Sequence, residues 1–385
     1  MMFKRTLANR IKCKISKGKI ILIVGPRQVG KTTLARHIVE QHKDDFIWLN
    51  GDEPDVRTML EDATSAVLQN LSGRKNIVVI DEAQRIRNIG LTLKLFHDTF
   101  PEKQLIVTGS SAFDLANEIN EPLTGRKYEY HLYPMSFAEM VEAHGLMDEN
   151  RQLEHRLVYG YYPEVVQAKG EEIETLISLS GSYLYKDVLT LGILKKPQLL
   201  EKLLQALALQ LGSEVMFHEV GQLIGADPKT VENYIDILEK AFVVFRLPSL
   251  SRNMRNEIKK GKKIYFYDNG IRNAILKNFS PLGVRQDVGG LWENFLITER
   301  LKRNHYTPSY VNTFFWRNHA QQEIDYIEEK DGGFKAFEFK WNARKKAFFS
   351  KSFLRAYPGT DTHVIQRDNF HEFLLESGNG ETGRS

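Results

Sequence analysis

Short apolar rows separated by amphipathic stretches dominate the first 140 residues. Ile20–Val24, Phe46–Leu49, Ile77–Ile80 and Leu105–Thr108 are each of strand length and almost wholly apolar. Between them Thr32–Gln41, Asp55–Leu71 and Ile89–Phe100 carry apolar residues at helical spacing. Strands that are apolar throughout are covered on both faces, so the pattern predicts an α/β unit: a parallel sheet between two layers of helix. The pattern is mostly helical from Phe137 to Lys195, interrupted at Tyr161-Tyr162-Pro163. A long helix at Gln198–Leu211, a shorter one at His218–Ile224, a turn at Gly225–Pro228 and a helix starting at Thr230 follow. A strand at Phe242–Leu247 closes that set. Strands at Ile264–Tyr267, Thr313–Arg317, Ile324–Glu328 and Lys335–Lys340, with a helix at Leu291–Arg303, then predict a mixed α/β unit. The chain divides on this reading at 1–140, 141–195, 196–263 and 264–376, with a glycine-rich polar tail at 377–385 expected to be disordered.

With 385 residues, several such units are affordable and each can bury a core. The one cysteine, Cys13, cannot form an internal disulfide and has no neighbour in sequence for metal or nucleophilic chemistry, so it is expected to pack. No apolar run reaches membrane-spanning length, and Met1–Arg5 leads into no apolar signal core. These features point to a cytoplasmic setting without a membrane partner. A formal charge of +4 permits a nucleic-acid partner without arguing for one.

The sharpest chemistry lies behind the first strand. Gly25-Pro26-Arg27-Gln28-Val29-Gly30-Lys31-Thr32 satisfies G-x-x-x-x-G-K-[ST] between a strand and a helix, and Thr33 continues the helix. Glycines let successive N–H groups converge on a phosphate, and the helix N-terminus adds positive potential. Lys31 is expected to reach the β- and γ-phosphates of a nucleoside triphosphate, and the Thr32 hydroxyl to join the shell of Mg2+. Ile77-Val78-Val79-Ile80 ends in Asp81-Glu82. Asp81 is expected to hold the magnesium through water and Glu82 to polarise the attacking water. After the strand ending at Thr108, Ser110 is the candidate for a polar group between the carboxylates and the γ-phosphate, with Ser111 next to it. Arg126 is a candidate finger for a neighbouring subunit's phosphate.

These motifs resemble those of AAA-type ATPases, and more closely a large group of bacterial and archaeal members. The resemblance is carried by Gly25–Thr33, Asp81-Glu82-Ala83-Gln84, Thr108-Gly109-Ser110-Ser111, Leu123-Thr124-Gly125-Arg126 and Tyr133–Glu139. Gly160-Tyr161-Tyr162-Pro163-Glu164 and Tyr185-Lys186-Asp187 extend it, and the group's C-terminal domain matches from about Leu200 to Trp341. The resemblance implies adenine nucleotide and ring-type self-assembly, which would give Arg126 its partner subunit.

Glu214–Lys263 reads as a winged helix-turn-helix. Thr230 is expected to cap its second helix, with Thr230, Asn233, Tyr234 and Asp236 outward and Val231, Ile235 and Leu238 inward. The wing carries Arg252, Arg255, Lys259, Lys260, Lys262 and Lys263 against one acid, Glu257, which makes DNA the candidate partner. A lid or protein-contact module with a solvated basic hairpin is the competing reading.

In the last unit, Asp325 on one strand and Glu338-x-Lys340 on the next, with Glu293 on a preceding helix, resemble the restriction-endonuclease-like PD-(D/E)XK core. Carboxylates from separate elements can hold Mg2+ while a lysine positions water. A retained fold without cleavage, or a surface Glu–Lys pair, is the alternative. Asp268 is read as a strand-to-helix cap. Three functions remain open: an ATPase coupled to DNA, an ATP-regulated nuclease, and a nucleotide-state switch acting on a protein partner.

Overall fold

The computed structural model describes residues 3–110, 123–190, 197–251, 261–344 and 347–375, the last nine residues of helix Glu172–Thr190 by their backbone alone. Ser111, Arg252, Arg255, Glu257, Lys259, Lys260 and the tail at 377–385 lie outside the described residues. So do the side chains of Tyr185-Lys186-Asp187.

The four apolar rows form strands β1 (Ile20–Val24), β2 (Phe46–Asn50), β3 (Ile77–Asp81) and β4 (Gln104–Gly109). A fifth, β5 (Lys127–His131), completes a sheet of order β2-β3-β4-β1-β5 in which every pairing is parallel. β1, β3 and β4 are buried along their whole length, as strands covered on both faces must be. The sequence pattern does not show β5, because its Lys127-Tyr128-Glu129 are the polar residues of an edge strand. The expected helix Asp55–Leu71 is two helices, Pro54–Leu60 and Ser65–Ser72. Asp62 turns the chain at φ 51°, and the Thr64 hydroxyl accepts from Val67 N–H to start the second helix.

Helices from Phe137 to Thr190 lead into a three-stranded sheet of β6 (Glu214–Val215), β7 (Val244–Pro248) and β8 (Lys262–Phe266), ordered β6-β8-β7 and antiparallel. Helices Pro197–Leu209, Phe217–Ile224 and Pro228–Lys240 pack with it. The cap of the last is Asp227, not Thr230: its carboxylate accepts the Thr230 N–H at 2.9 Å, and Pro228 opens the helix. Tyr234 is buried, not outward, because it falls on the stripe of Val231 and Leu238, three and four residues away. Ile264–Tyr267 was expected to open the last unit. Residues 264–266 instead pair with β7, and Lys262 and Lys263 of the same strand pair with β6, so the strand belongs to this three-stranded sheet.

The last unit starts with helix Val288–Tyr306. β9 (Asn312–Arg317), β10 (Glu323–Lys330) and β11 (Gly333–Phe339) form an antiparallel meander. Helix Lys351–Ala356 then crosses to β12 (Asp361–Ile365), which pairs parallel to β11. A bridge between Ser249 and Phe315 ties this sheet to the segment after β7. Cys13 follows the last turn of helix Leu7–Lys12, whose inward face is Leu7, Ala8 and Ile11, and it is exposed, not packed. Among the described residues no helix is long and apolar enough to cross a membrane.

Candidate nucleotide site and a second carboxylate centre

The carboxyl ends of β1, β3 and β4 lie side by side, the edge at which open α/β sheets take ligands. Gly25 leaves β1 against the Leu132 carbonyl, where an added Cβ would lie 2.0 Å from the oxygen, so only glycine fits. Gly30 takes φ 93° and aims the backbone into helix Lys31–Val39. Lys31 is buried and its ammonium spans its own loop, donating to the Gly25 carbonyl at 3.0 Å and the Pro26 carbonyl at 2.8 Å. Thr32 Oγ1 donates to Asp81 at 2.9 Å and 3.1 Å, so the two expected magnesium-binding groups already face one another.

The β3–β4 register, Ile80 opposite Val107, sets Thr108 beside Asp81. The Thr108 hydroxyl donates to Asp81 Oδ1 and accepts the Glu82 N–H at 3.2 Å. Glu82 has φ 51°, a left-handed conformation uncommon outside glycine. Its carboxylate is held by Gln84 Nε2 at 2.5 Å, and Gln84 Oε1 accepts the Ser110 N–H at 3.1 Å. Ser110 is fully buried, and its hydroxyl has no hydrogen-bond partner among the described residues. Thr108 and Gln84 are therefore the polar groups nearest the two carboxylates, and sequence reasoning assigned neither a role. A threonine closing an apolar strand was the visible signal for the first. Arg126 precedes β5 at the opposite edge of the sheet, roughly 15 Å of strand from the loop, and pairs with Asp98 at 2.8 Å and 3.1 Å.

A cleft of about 750 Å3 opens over Gly30, Lys31, Thr32 and Glu82, within the range of small-molecule sites. Its far wall is Pro163 to Thr175, including Glu164 and Glu171. These come from the helical connector and were not anticipated.

Behind the loop, Arg5 is buried and donates to four acceptors: the Val29 carbonyl at 2.8 Å, Glu139 at 3.1 Å, the Tyr133 carbonyl at 2.5 Å and the Tyr306 hydroxyl at 3.4 Å. It thus pins the loop to Tyr133, two residues past β5, and to the end of helix Val288–Tyr306. Hydrogen bonds from a charged donor contribute about 1.5–3 kcal/mol each when buried. Arg5→Met is expected to weaken ADP binding about tenfold, read by titration calorimetry, with Arg5→Lys recovering only part. Unchanged ADP affinity in a folded Arg5→Met protein would show that the loop holds its shape without this anchor.

The four residues singled out in the last unit also meet. Lys340 Nζ lies 2.6 Å from Glu338 Oε2 and 3.6 Å from Asp325 Oδ2, which also accepts the Phe339 N–H at 2.7 Å. A register shift in the β9–β10 ladder between Ile324 and Ile327 re-aims this segment. Glu293, on the facing helix, accepts from Lys263 at 2.8 Å and from the Tyr265 hydroxyl at 2.5 Å. Glu323, which sequence reasoning passed over, joins them: Glu293, Glu323 and Asp325 bring carboxylate oxygens within 4.8 Å of one another and could hold a metal ion. Burial pushes the Glu293 carboxyl up to about 7 against the pull of Lys263. Burial, with the Asp325 charge adding, raises Glu338 to about 7 as well. Lys263 itself is fully buried, so it does not present its charge to solvent as the DNA-contact expectation required. Burial opposes its charge, but Glu293, Glu323 and Asp325 outweigh burial and keep it protonated. Lys262 is partly exposed. Asp268 takes the cap role expected of it, accepting from Ile271 N–H at 3.1 Å and also from Tyr161 N–H at 2.7 Å.

Residues 17–141 match a family described as "AAA domain", and 150–282 and 288–378 match two described only as domains of unknown function. The first match falls on the N-terminal unit, whose parallel sheet and phosphate loop make a P-loop fold. An uncharacterized protein of Mycobacterium tuberculosis is 27% identical over 88% of this chain and 74% of its own length. Another, from Methanocaldococcus jannaschii, is 23% identical over 84% and 75%. Among solved structures, the RuvB Holliday junction branch migration motor of Thermotoga maritima aligns with a TM-score of 0.34 at 15% identity, over 72% of this chain and 96% of that one. The Aeropyrum pernix ORC1 protein in complex with DNA aligns with a TM-score of 0.31 at 12% identity, over 72% and 93%.

Proposed function

We propose that this chain hydrolyses ATP with magnesium at Gly25–Thr33, Asp81 and Glu82, and couples the turnover to work on DNA by the units that follow. The observation that carries the ATPase reading is Thr32 resting on Asp81 with Lys31 inside its own loop and Glu82 fastened alongside. Magnesium, when bound, neutralises phosphate charge, and Thr32 and Asp81 are the residues that would hold it. Glu82 would orient the attacking water, Thr108 would keep Asp81 aimed, and Ser110 offers a hydroxyl at the same edge. The choice of adenine follows the family resemblance of the motifs.

The DNA reading is supported by two helices, Phe217–Ile224 and Pro228–Lys240, placed against the β6-β8-β7 sheet in the layout of a winged helix, and by the basic sequence between β7 and β8. A ring of copies would face Arg126 toward a neighbour once Asp98 released it. ATP turnover, measured with and without duplex, single-stranded and branched DNA over a range of salt, tests the coupling. DNA stimulation that falls steeply with salt is expected, since phosphate contacts release counterions. Turnover indifferent to every DNA would overturn it in favour of a switch on a protein partner.

A second reading has its own observation. Glu293, Asp325, Glu338 and Lys340 converge from one helix and two strands, as in a metal-dependent nuclease governed by the ATPase. Lys340→Ala is then expected to abolish Mg2+-dependent strand scission, at least a hundredfold, while ATP turnover survives. Intact DNA from the unaltered protein under every nucleotide state would remove this reading.

A further inference from the structure

Strand β8 sends two side chains out of the winged sheet into the carboxylate cleft of the last unit. Lys263 and Tyr265 share a face of the strand, two residues apart, and both grip Glu293. The Lys263 ammonium also contacts Glu323 and lies 5.5 Å over the Phe315 ring. Glu293 and Glu323 are two of the three residues whose oxygens gather with Asp325. A cation is already seated there, and it comes from a different sheet.

The two lysines divide the acids between them. Lys340, from the cleft's own strand, pairs with Glu338 and Asp325, while Lys263 pairs with Glu293 and Glu323. The four carboxylates outnumber these two lysines, so neither ammonium is redundant. Withdrawing Lys263 would leave the half-buried pair Glu293 and Glu323 without their main counter-charge, a costly state unless another cation enters. Arg317, 3.5 Å from Glu323, is shared with Glu214 at 3.7 Å.

We propose that Lys263 is a built-in occupant of the cation position of this cleft, and that it exchanges with a divalent cation held by Glu293, Glu323 and Asp325. The ammonium and the metal exclude one another, so the cleft takes a metal only when β8 shifts or its lysine swings out. The basic residues preceding Lys263 in sequence make a polyanion such as DNA the natural agent of that shift. What the metal would then do rests on the nuclease reading, whereas the exchange itself requires no cleavage.

The test is Mn2+ binding to the nucleotide-free full chain, followed by electron paramagnetic resonance, for the unaltered protein, Lys263→Met and Lys263→Met/Glu323→Gln. Lys263→Met is expected to gain one site at least tenfold tighter than any in the unaltered protein, and the double variant to lose it. Lysine-selective labelling of the unaltered protein gives a measure that does not depend on the folding of Lys263→Met. Lys263 should be protected without metal and become reactive as Mn2+ rises. A folded Lys263→Met protein that gains no site would reduce the contact to a plain ion-pair cluster. Mn2+ bound while Lys263 stays protected would equally overturn the exchange. Metal exchange without DNA scission would keep this proposal and remove only the nuclease reading.

Discussion

Glu82→Gln is expected to lower ATP turnover at least a hundredfold while nucleotide affinity stays within a few-fold of the unaltered protein. The carboxylate sits one residue past β3 on a backbone held at φ 51°, with its N–H on Thr108 and one oxygen on the Gln84 amide. A glutamine keeps the shape and an oxygen for Gln84 but cannot accept a proton from water. Positioned general bases contribute about 10²–10⁴ in rate, which sets the size of the loss. Asp81 and Thr32, which would hold the metal, and Lys31 are untouched, so binding is retained. Phosphate release measures the first part and calorimetry with ATP the second. Turnover near that of the unaltered protein would move the role of base to another group, with Glu164 or Glu171 on the far wall of the cleft the next to examine.

Arg300→Met carries the largest expected effect on stability. Arg300 and Glu328 are each 5% exposed and joined by two hydrogen bonds, Nε to Oε1 at 2.8 Å and Nη2 to Oε2 at 2.7 Å. The guanidinium also donates to the Phe373 carbonyl and lies 4.6 Å over the Phe373 ring, so it ties helix Val288–Tyr306 to β10 and to helix Phe370–Leu375. Methionine keeps much of the packing but strands a buried carboxylate, to which Asn304 and Tyr326 still donate. Removing one partner of a buried pair costs about 3–5 kcal/mol. Three of the four tryptophans, Trp292, Trp316 and Trp341, lie in this unit, so denaturant unfolding followed by their fluorescence reports its loss. Arg300→Met/Glu328→Gln should recover much of the deficit, since no charge is then left unpaired. A single variant as stable as the unaltered protein would mean that water reaches Glu328 and solvates it.

The parts of the candidate sites legible in the sequence share one property: their residues are neighbours in the chain or sit on strands whose period announces them. The phosphate loop is contiguous, Asp81-Glu82 ends an unbroken apolar strand, and Glu338-x-Lys340 shows its common face through an alternation of two. The cap at Asp227 was misplaced by three residues, because either Asp227 or Thr230 could begin the helix. Pro228, whose fixed φ suits a first helical position, was the discriminating signal. Tyr234 was expected outward, but three residues after Val231 and four before Leu238 its ring falls on the apolar stripe and is buried.

By itself, then, the sequence determined the class of the N-terminal unit, its phosphate loop and carboxylate pair, and the Asp325, Glu338 and Lys340 constellation. These follow from local rules, where neighbouring residues and strand period decide which side chains share an edge. The tertiary structure alone decided that Thr108 meets Asp81, that Arg5 anchors the loop to Tyr133, Glu139 and Tyr306, and that Pro163–Thr175 walls the cleft. It also decided that Lys263 belongs to the acids and not to solvent. Each of these contacts joins residues 24 to about 300 positions apart. Strand order, sheet register and the docking of one unit on another set them, and spacing along a chain carries no record of those.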